Sequence, residues 1–272
     1  MKKVVFITGI SSGFGFQISK LLAEKGHLVY GTIRKTCIVP EGVTPLMMDL
    51  TQPETIRQAI QQVISKEGRI DVLINNAGMH SGGPIEEVPE SLLREHLETN
   101  LTGYILVLQN ALPHMRKMRK GCVINISSIG GLTGLPFQGI HSATKFAMEG
   151  LSQALRIEIK PFNIKVIVIN PGDFRTNNSA SRIKFAKPNG GYEAQFNHSM
   201  SIIENDEAQG MNPVIMALRV SKIVDADFTW NRYIVASFIQ GLAVILKRIL
   251  PEWLFSKIIE MHYETNRFTK LS

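Results

Sequence analysis

The chain has 272 residues, of which 44% are hydrophobic and 19% are charged, and its formal net charge is +7. These values exclude a disordered or fibrous chain and favour one large globular domain spanning residues 1–272. The basic excess suits an anionic cofactor or a membrane surface, but no nucleic-acid-binding motif accompanies it, so no nucleic-acid partner is expected.

Apolar strands alternate with amphipathic helices over the first two thirds of the chain. Residues 3–8 are predicted to form a strand, and its apolar run at residues 4–7 is expected for a strand buried on both faces of a parallel sheet. The further predicted strands are 27–33, 44–49, 70–75, 122–127 and 164–170, and the predicted helices are 16–25, 53–66, 90–119 and 142–160. The alternation predicts an α/β, Rossmann-like, doubly wound parallel sheet with helices on both faces and a ligand site at the carboxyl ends of the strands.

The last third of the chain is less regular. Residues 176–209 are polar and rich in Asn and Gly, so we interpret 176–212 as a lid over the substrate. Helical character returns at 213–224, an edge strand is predicted at 232–237, and a helix at 238–250 ends before Pro251. Residues 238–272 are therefore interpreted as a C-terminal helical extension.

A glycine-rich turn, TGISSGFG at residues 8–15, directly follows the first strand. Such a turn lets a pyrophosphate approach the backbone and reach the N-terminus of the next helix, where free N–H groups favour an anion. The second strand ends in GTIRK, with no acidic residue to hold the ribose of NAD. Arg34 can instead pair with a 2′-phosphate, and Ser11 and Ser12 can add donors, so the sequence predicts NADP(H).

Further motifs follow in a fixed order: Asn76-Ala77-Gly78, then Ser128, then the segment HSATK at residues 141–145. With the glycine turn, this order resembles the short-chain dehydrogenase/reductase family, nearest in layout to its hydroxysteroid and retinol dehydrogenase branch. The resemblance is specific from residue 3 to about 176 and implies an enzyme that interconverts a ketone and a secondary alcohol. The cofactor-binding residues that it implies are Gly9, Ser11, Ser12, Gly13, Phe14, Gly15, Arg34, Asp49, Leu50, Asn76, Ala77, Gly78, Lys145, Pro171, Gly172 and Thr176.

The resemblance also implies a catalytic tetrad of Asn100, Ser128, residue 141 and Lys145. Ser128 would bond the substrate oxygen, Asn100 would hold a water, and Lys145 would bond the nicotinamide ribose. In the family, residue 141 is almost always the tyrosine that transfers the proton, whereas this chain has His141. The positive charge of Lys145 is expected to lower the pKa of His141 and keep its imidazole mostly neutral. No metal ligand is predicted.

Three hypotheses about His141 stay open. In the first, the chain is an enzyme in which histidine is a slower or differently tuned acid. In the second, it is a weakened or inactive NADP-binding relative with a scaffold or sensing role. The third is that it is a variant of an ordinary tyrosine enzyme.

The expected substrate is a lipophilic ketone or alcohol, steroid-, retinoid- or sphingoid-like. Its predicted walls are Met79, His80, residues 132–137 and Phe174, with Phe185 and Phe196 from the lid, although core packing explains these residues equally well. The family resemblance implies a homodimer or homotetramer through helices 90–119 and 142–160.

The C-terminal segment 233–246 is apolar but too short to span a bilayer. Phe238, Leu242, Ile245 and Ile249 share one helical face, which favours packing on the domain or in an oligomer over peripheral membrane contact through 238–259. Met1-Lys2-Lys3 leads directly into a strand and the two cysteines are interpreted as free thiols, so we expect a cytoplasmic protein, with peripheral contact to the inner face of a membrane as the alternative.

Overall fold

The computed structural model describes residues 1–176 and 181–265. The strands are β1 Val4–Ile7, β2 Leu28–Ile33, β3 Val43–Met47, β4 Val72–Asn75, β5 Ser81–Gly82, β6 Gly121–Ile126, β7 Ile164–Pro171, β8 Ile183–Lys184 and β9 Arg232–Val235. The helices are α1 Gly13–Glu24, α2 Pro53–Glu67, α3 Glu90–Leu97, α4 Gly103–Met118, α5 Gly139–Glu158, α6 Glu193–Ala208, α7 Pro213–Asp225, α8 Phe238–Ile249 and α9 Glu252–His262.

Seven of these strands form one parallel sheet in the order β3-β2-β1-β4-β6-β7-β9. Side chains of each strand alternate between two cores. In β1, Val4 and Phe6 pack in the core that contains α2, α4 and α5, while Val5 and Ile7 pack in the core that contains α1 and α7. The sheet is therefore covered by helices on both faces, which confirms the predicted fold class.

The chain reverses its direction of progress across the sheet between β1 and β4. From β1 it moves to β2 and β3 on one side, and it then returns to place β4 and β6 on the other side. In open parallel sheets this reversal leaves a crevice at the carboxyl ends of the two central strands. The glycine-rich turn and the Asn76-Ala77-Gly78 motif follow these two strands.

Three boundaries differ from the sequence-based predictions. The predicted helix 90–119 is interrupted by a π-helical turn, Glu98–Thr102, which contains Asn100. Helix α5 begins at Gly139, three residues earlier than predicted, so His141 lies in its first turn. The polar region after residue 176 is not one loop, because it contains the long helix α6 and the short strand β8, which pairs with β5.

Candidate active site

One large cavity, with a volume of about 790 Å³, opens at the carboxyl ends of the central strands. Its walls come from the glycine-rich turn, the segments that follow β2, β4, β6 and β7, the start of α5, and helices α8 and α9. Every site residue predicted from the sequence lines this cavity except Gly15 and Asn100. The fold therefore brings together motifs that are as far apart as Gly9 and Thr176.

The glycines of the first turn serve different purposes. A Cβ atom at Gly9, whose φ is +73°, would lie 2.8 Å from the Cβ of Ala77, and one at Gly15 would lie 1.9 Å from the carbonyl oxygen of Gly9. These two glycines are needed for the turn to pack against itself and against the segment after β4. Gly13 has a φ of +58° and lines the cavity, and the nearest neighbour of its hypothetical Cβ is Thr176 at 3.9 Å.

The N-terminus of α1 is suited to an anion. Its N-cap residue, Ser12, makes no side-chain hydrogen bond to the first turn. The backbone N–H groups at this end therefore lack a side-chain cap, and they adjoin the cavity that Ser11, Ser12 and Gly13 line. Arg34 and Lys35 line the same cavity beyond β2. The site thus fits a dinucleotide with phosphate groups at both the helix end and the ribose.

The segment after β4 is fixed to the glycine turn by hydrogen bonds. The hydroxyl oxygen of Thr8 accepts from the backbone N–H groups of Asn76 and Ala77, both at 2.9 Å. The amide of Asn76 donates to the carbonyl oxygens of Thr8 and Gly9, at 2.9 and 2.8 Å. The cofactor end of the cavity is therefore held rigid by the protein itself. At its edge, the Asp49 carboxylate accepts from the N–H and hydroxyl of Thr51.

His141 lies in a group of three imidazoles. It is 4% exposed, and its ring stacks on that of His80 with centroids 4.6 Å apart and an interplanar angle of 28°. The ring of His96 approaches it edge-on at 6.3 Å. The Nδ1 atom of His141 is buried and has no hydrogen-bond partner within the described ranges 1–176 and 181–265. Buried polar atoms are normally hydrogen-bonded, so this nitrogen is a candidate to bond a substrate group in the cavity.

Burial and neighbouring charge keep these imidazoles neutral. Burial, followed by the effects of His80 and Lys145, holds the pKa of His141 well below its usual 6.5. Burial also lowers the pKa of His96 to about 4, with a further contribution from Lys145. The expectation that Lys145 makes His141 neutral has the right sign, but desolvation is the larger cause.

Lys145 lies one helical turn beyond His141, and its ammonium donates to the carbonyl oxygen of Ile126 at 2.9 Å. Burial lowers its pKa to about 8, while the nearby Glu149 opposes this shift. Ser128 follows β6 with extended backbone, and its hydroxyl oxygen accepts from the N–H of Gly130 at 2.9 Å. The hydroxyl proton of Ser128 is left to donate to a group in the cavity.

Asn100 does not line the cavity. Its side-chain oxygen accepts from the N–H of Met79 at 2.8 Å, and its amide donates to the carbonyl oxygen of Met79 at 2.9 Å. The same amide lies 2.7 Å from Nε2 of His96, whose Nδ1 is 3.0 Å from the hydroxyl of Ser81. Asn100 therefore positions the segment before His80. His96, a residue that no sequence motif indicated, contacts both Asn100 and Ser81 and helps to hold Asn100 in place.

The substrate end of the cavity differs from the predicted wall. Met79, His80, Leu132, Leu135 and Phe174 line it as predicted. Phe137 and Phe196 instead form an edge-to-face pair with centroids 5.6 Å apart in a separate small core, and Phe185 packs beside Gly83. The wall that the sequence did not reveal is made by Ile239, Gln240, Ala243, Val244, Phe255, Ile258, Ile259 and Tyr263 from the C-terminal helices.

Carboxylates also reach this end of the cavity, from Asp173, Asp206 and Glu207. Glu207 pairs with the buried Arg182, and Asp206 lies 3.1 Å from His262. Asp173 accepts from the side chain of Gln240, and burial together with the two neighbouring acids raises its pKa to about 6. No group of three or more His, Cys, Asp or Glu residues in the described part of the chain has the arrangement of a metal site.

Comparisons with known proteins bear on this geometry. A family model described as short chain dehydrogenase matches residues 3–186. The 3-ketodihydrosphingosine reductase of Bacteroides thetaiotaomicron is 41% identical over 263 residues, which cover 96% of this chain and 98% of that protein. A short-chain dehydrogenase from Streptomyces avermitilis has a similar structure, with a TM-score of 0.82 and 32% identity over 94% of this chain and 97% of its own. The structure of ElxO with NADP bound has a TM-score of 0.70 and 26% identity over 86% and 96% of the two chains.

Proposed function

This chain belongs to the short-chain dehydrogenase/reductase family, and we propose that it is an NADP(H)-dependent oxidoreductase that interconverts a lipophilic ketone and its secondary alcohol. The observation that carries the proposal is that Ser128, His141 and Lys145 line one cavity with the glycine-rich turn. A substrate at one end of this cavity would meet a cofactor at the other.

The cofactor assignment rests on the two ends of the nucleotide site. Arg34 and Lys35 line the cavity after β2, where an NAD site would have an acidic residue. The uncapped N-terminus of α1 suits the pyrophosphate, and Asp49, Leu50 and the Asn76-Ala77-Gly78 segment would flank the adenosine half. Lys145, Pro171, Gly172 and Thr176 would flank the nicotinamide half. When bound, the nicotinamide supplies or accepts the hydride.

The residues of this chain would handle the proton and the substrate oxygen. Ser128 accepts from the N–H of Gly130 through a lone pair of its hydroxyl oxygen. Its hydroxyl proton can therefore donate to the substrate oxygen. Lys145, with a pKa of about 8, is mostly protonated at neutral pH and stabilises negative charge that develops on the oxygen. His141 is neutral but keeps one N–H that can donate to the same oxygen, although a neutral imidazole is a weaker acid than an imidazolium.

The carboxylates at the substrate end favour one of the lipophilic classes. Asp173 and Asp206 line the cavity as carboxylates, and Lys247, which also lines it, is paired with Glu252. A sphingoid ketone carries an amino group that is cationic at neutral pH, whereas steroids and retinoids carry none. Together with the likeness to a 3-ketodihydrosphingosine reductase, this supports a long-chain amino ketone as substrate.

The test is ketone-dependent oxidation of NADPH by the purified chain, over a panel of sphingoid ketones, steroids, retinoids and small sugars. We expect turnover of the sphingoid ketone that is lost in Ser128→Ala and kept in the exposed control Ser65→Ala. Asp206→Asn should raise the KM for the amino ketone and leave that for a neutral long-chain ketone unchanged. Tight NADPH binding with no turnover of any ketone would favour the second candidate, a non-catalytic NADP-binding relative, which His141 makes a serious rival.

We also propose that the chain forms a homodimer or homotetramer through α4 and α5. Phe146, Leu151 and Ile157 of α5 are exposed apolar side chains on a helix that is otherwise packed against the sheet. Light scattering at micromolar concentration should give a mass of at least two chains. A monomer at every concentration would overturn this part of the proposal.

A further inference from the structure

An exposed apolar stripe runs along the outer side of α8. It consists of Phe238, Leu242, Ile245 and Ile249, which are spaced along one face of the helix. Phe238 is 86% exposed and Ile249 is 69% exposed, and Trp253 at the start of α9 continues the exposed surface. The sequence pattern favoured packing of this face on the domain or in an oligomer; packing on the domain is not what the described chain shows, because the stripe faces outward.

The inner side of the same helices forms the wall of the substrate end of the cavity. Gln240, Ala243 and Val244 line the cavity from α8, and Phe255 and Ile259 line it from α9. Gln240 fixes α8 to the body of the protein through its hydrogen bonds with Asp173. A single layer of helix therefore separates the cavity from the apolar stripe.

Basic and aromatic side chains border the stripe. The ammonium of the exposed Lys257 lies 5.3 Å from the centre of the Trp253 ring. Arg248 is exposed next to Ile249. Apolar and Trp side chains on one face with Lys and Arg at its border are typical of helices that lie in a membrane interface.

The dimensions and the charge favour a bilayer surface over a membrane-spanning arrangement. With 12 residues, α8 is about 18 Å long, well short of the hydrocarbon core of about 30 Å. In the described residues, no helix is long and apolar enough to cross a membrane. The net charge of +7 attracts the whole chain to a surface rich in anionic lipid.

We infer that the outer stripe of α8, together with Trp253, docks on the surface of an anionic lipid bilayer, with α8 in the plane of the interface. The lipophilic substrate then reaches the cavity from the membrane past the α8–α9 wall, a step that rests on the proposed function. Docking itself does not depend on turnover.

The experiment is co-sedimentation of the full chain with two kinds of vesicle. One is phosphatidylcholine alone, and the other contains about one phosphatidylglycerol in every four lipids. We expect binding to the anionic vesicles that weakens at high salt. The double variant Ile245→Gln and Ile249→Gln should bind at least about tenfold more weakly, because two isoleucines no longer enter the interface. The matched control is Ile38→Gln and Ile85→Gln, which changes two exposed isoleucines that lie outside both the stripe and the proposed α4–α5 interface.

The outcomes separate docking from other roles of the stripe. Equal losses in the variant and its control, or no binding of the unchanged chain to either vesicle, would overturn the inference. So would a dimer in solution that dissociates in the Ile245→Gln and Ile249→Gln variant, because the stripe would then be an interface between two copies. Activity on a ketone dispersed in detergent tests the proposed function separately, and failure there leaves the vesicle result standing.

Discussion

The two ends of the cavity are built in different ways. At the cofactor end, short motifs follow adjacent strands, and hydrogen bonds from Asn76 to Thr8 and Gly9 fix one motif to the other. At the substrate end, the wall comes from α8 and α9, some hundred residues beyond His141 in the sequence, and the reacting position holds an imidazole among other imidazoles. Family patterns therefore identify the cofactor end, whereas the substrate end depends on residues particular to this chain.

Lys145 lies where the two ends meet, and its loss should have the largest effect. Lys145→Met is expected to lower kcat by about 10²–10³-fold, since in the proposed mechanism it removes a buried cation that stabilises charge on the substrate oxygen. The unchanged chain should lose activity as pH rises through about 8, where Lys145 loses its proton. The exposed Lys117→Met variant is the control, and a Lys145→Met enzyme of normal kcat would remove this residue from the mechanism.

Replacing the imidazole by a phenol tests how far the substrate end has departed from the family. We expect His141→Tyr to raise turnover with NADPH by at least about tenfold, because Ser128 and Lys145 are already in place to assist a tyrosine. His114→Tyr, on α4 and outside the cavity, is the control. If the unchanged chain is already as fast at neutral pH, His141 is an effective catalytic acid and the prediction is wrong.

At the cofactor end, Arg34 should discriminate between the two nicotinamide cofactors. Arg34→Ala is expected to weaken NADPH binding by about tenfold or more, through loss of a charge-assisted hydrogen bond to the 2′-phosphate, and to leave NADH binding unchanged. Nicotinamide fluorescence titrations of both cofactors measure this. Tighter binding of NADH than NADPH by the unchanged chain would contradict the cofactor assignment.

The buried imidazoles should make the substrate end sensitive to acid. In the unfolded chain a histidine takes up a proton near pH 6.5, whereas His96 does so near pH 4 in the folded chain and the pKa of His141 is also lowered. The contribution of these imidazoles to stability is therefore fully present above about pH 6.5. It falls by about 1.4 kcal/mol per pH unit for each imidazole below pH 6.5, for His96 until about pH 4.

Urea denaturation at several pH values measures this slope. His96→Gln should make it shallower by about 1.4 kcal/mol per pH unit, whatever its effect on stability at neutral pH. Gln62→Ala, an exposed control that removes no titrating group, should leave the slope unchanged. Equal slopes in the unchanged chain and in His96→Gln would show that His96 is protonated as readily in the folded state as in the unfolded one.

Much of the fold and of the cofactor end could be predicted from the sequence. Strands buried on both faces are apolar throughout, as in residues 4–7, and glycine turns have a recognisable spacing. The position of Asn100 inside a π-helical turn could not be predicted, because the wider turn depends on its bonds to Met79 and His96. Nor could α6, because its polar sequence resembles a loop, and its buried Phe196 and Met200 pack in a small core with residues distant in sequence, including Phe137 and Tyr263.

Gly172 shows how closely the two ends of the cavity depend on each other. The family pattern explains it as part of the nicotinamide end, yet a Cβ atom there would lie 2.1 Å from the side-chain oxygen of Gln240 in α8. Because Gly172 has no Cβ atom, α8 can pack closely against the nucleotide-binding core. In evolutionary terms, the outer stripe of α8 is free to diversify with the surface that it meets, whereas the pairing of Gly172 with Gln240 is expected to change only as a unit.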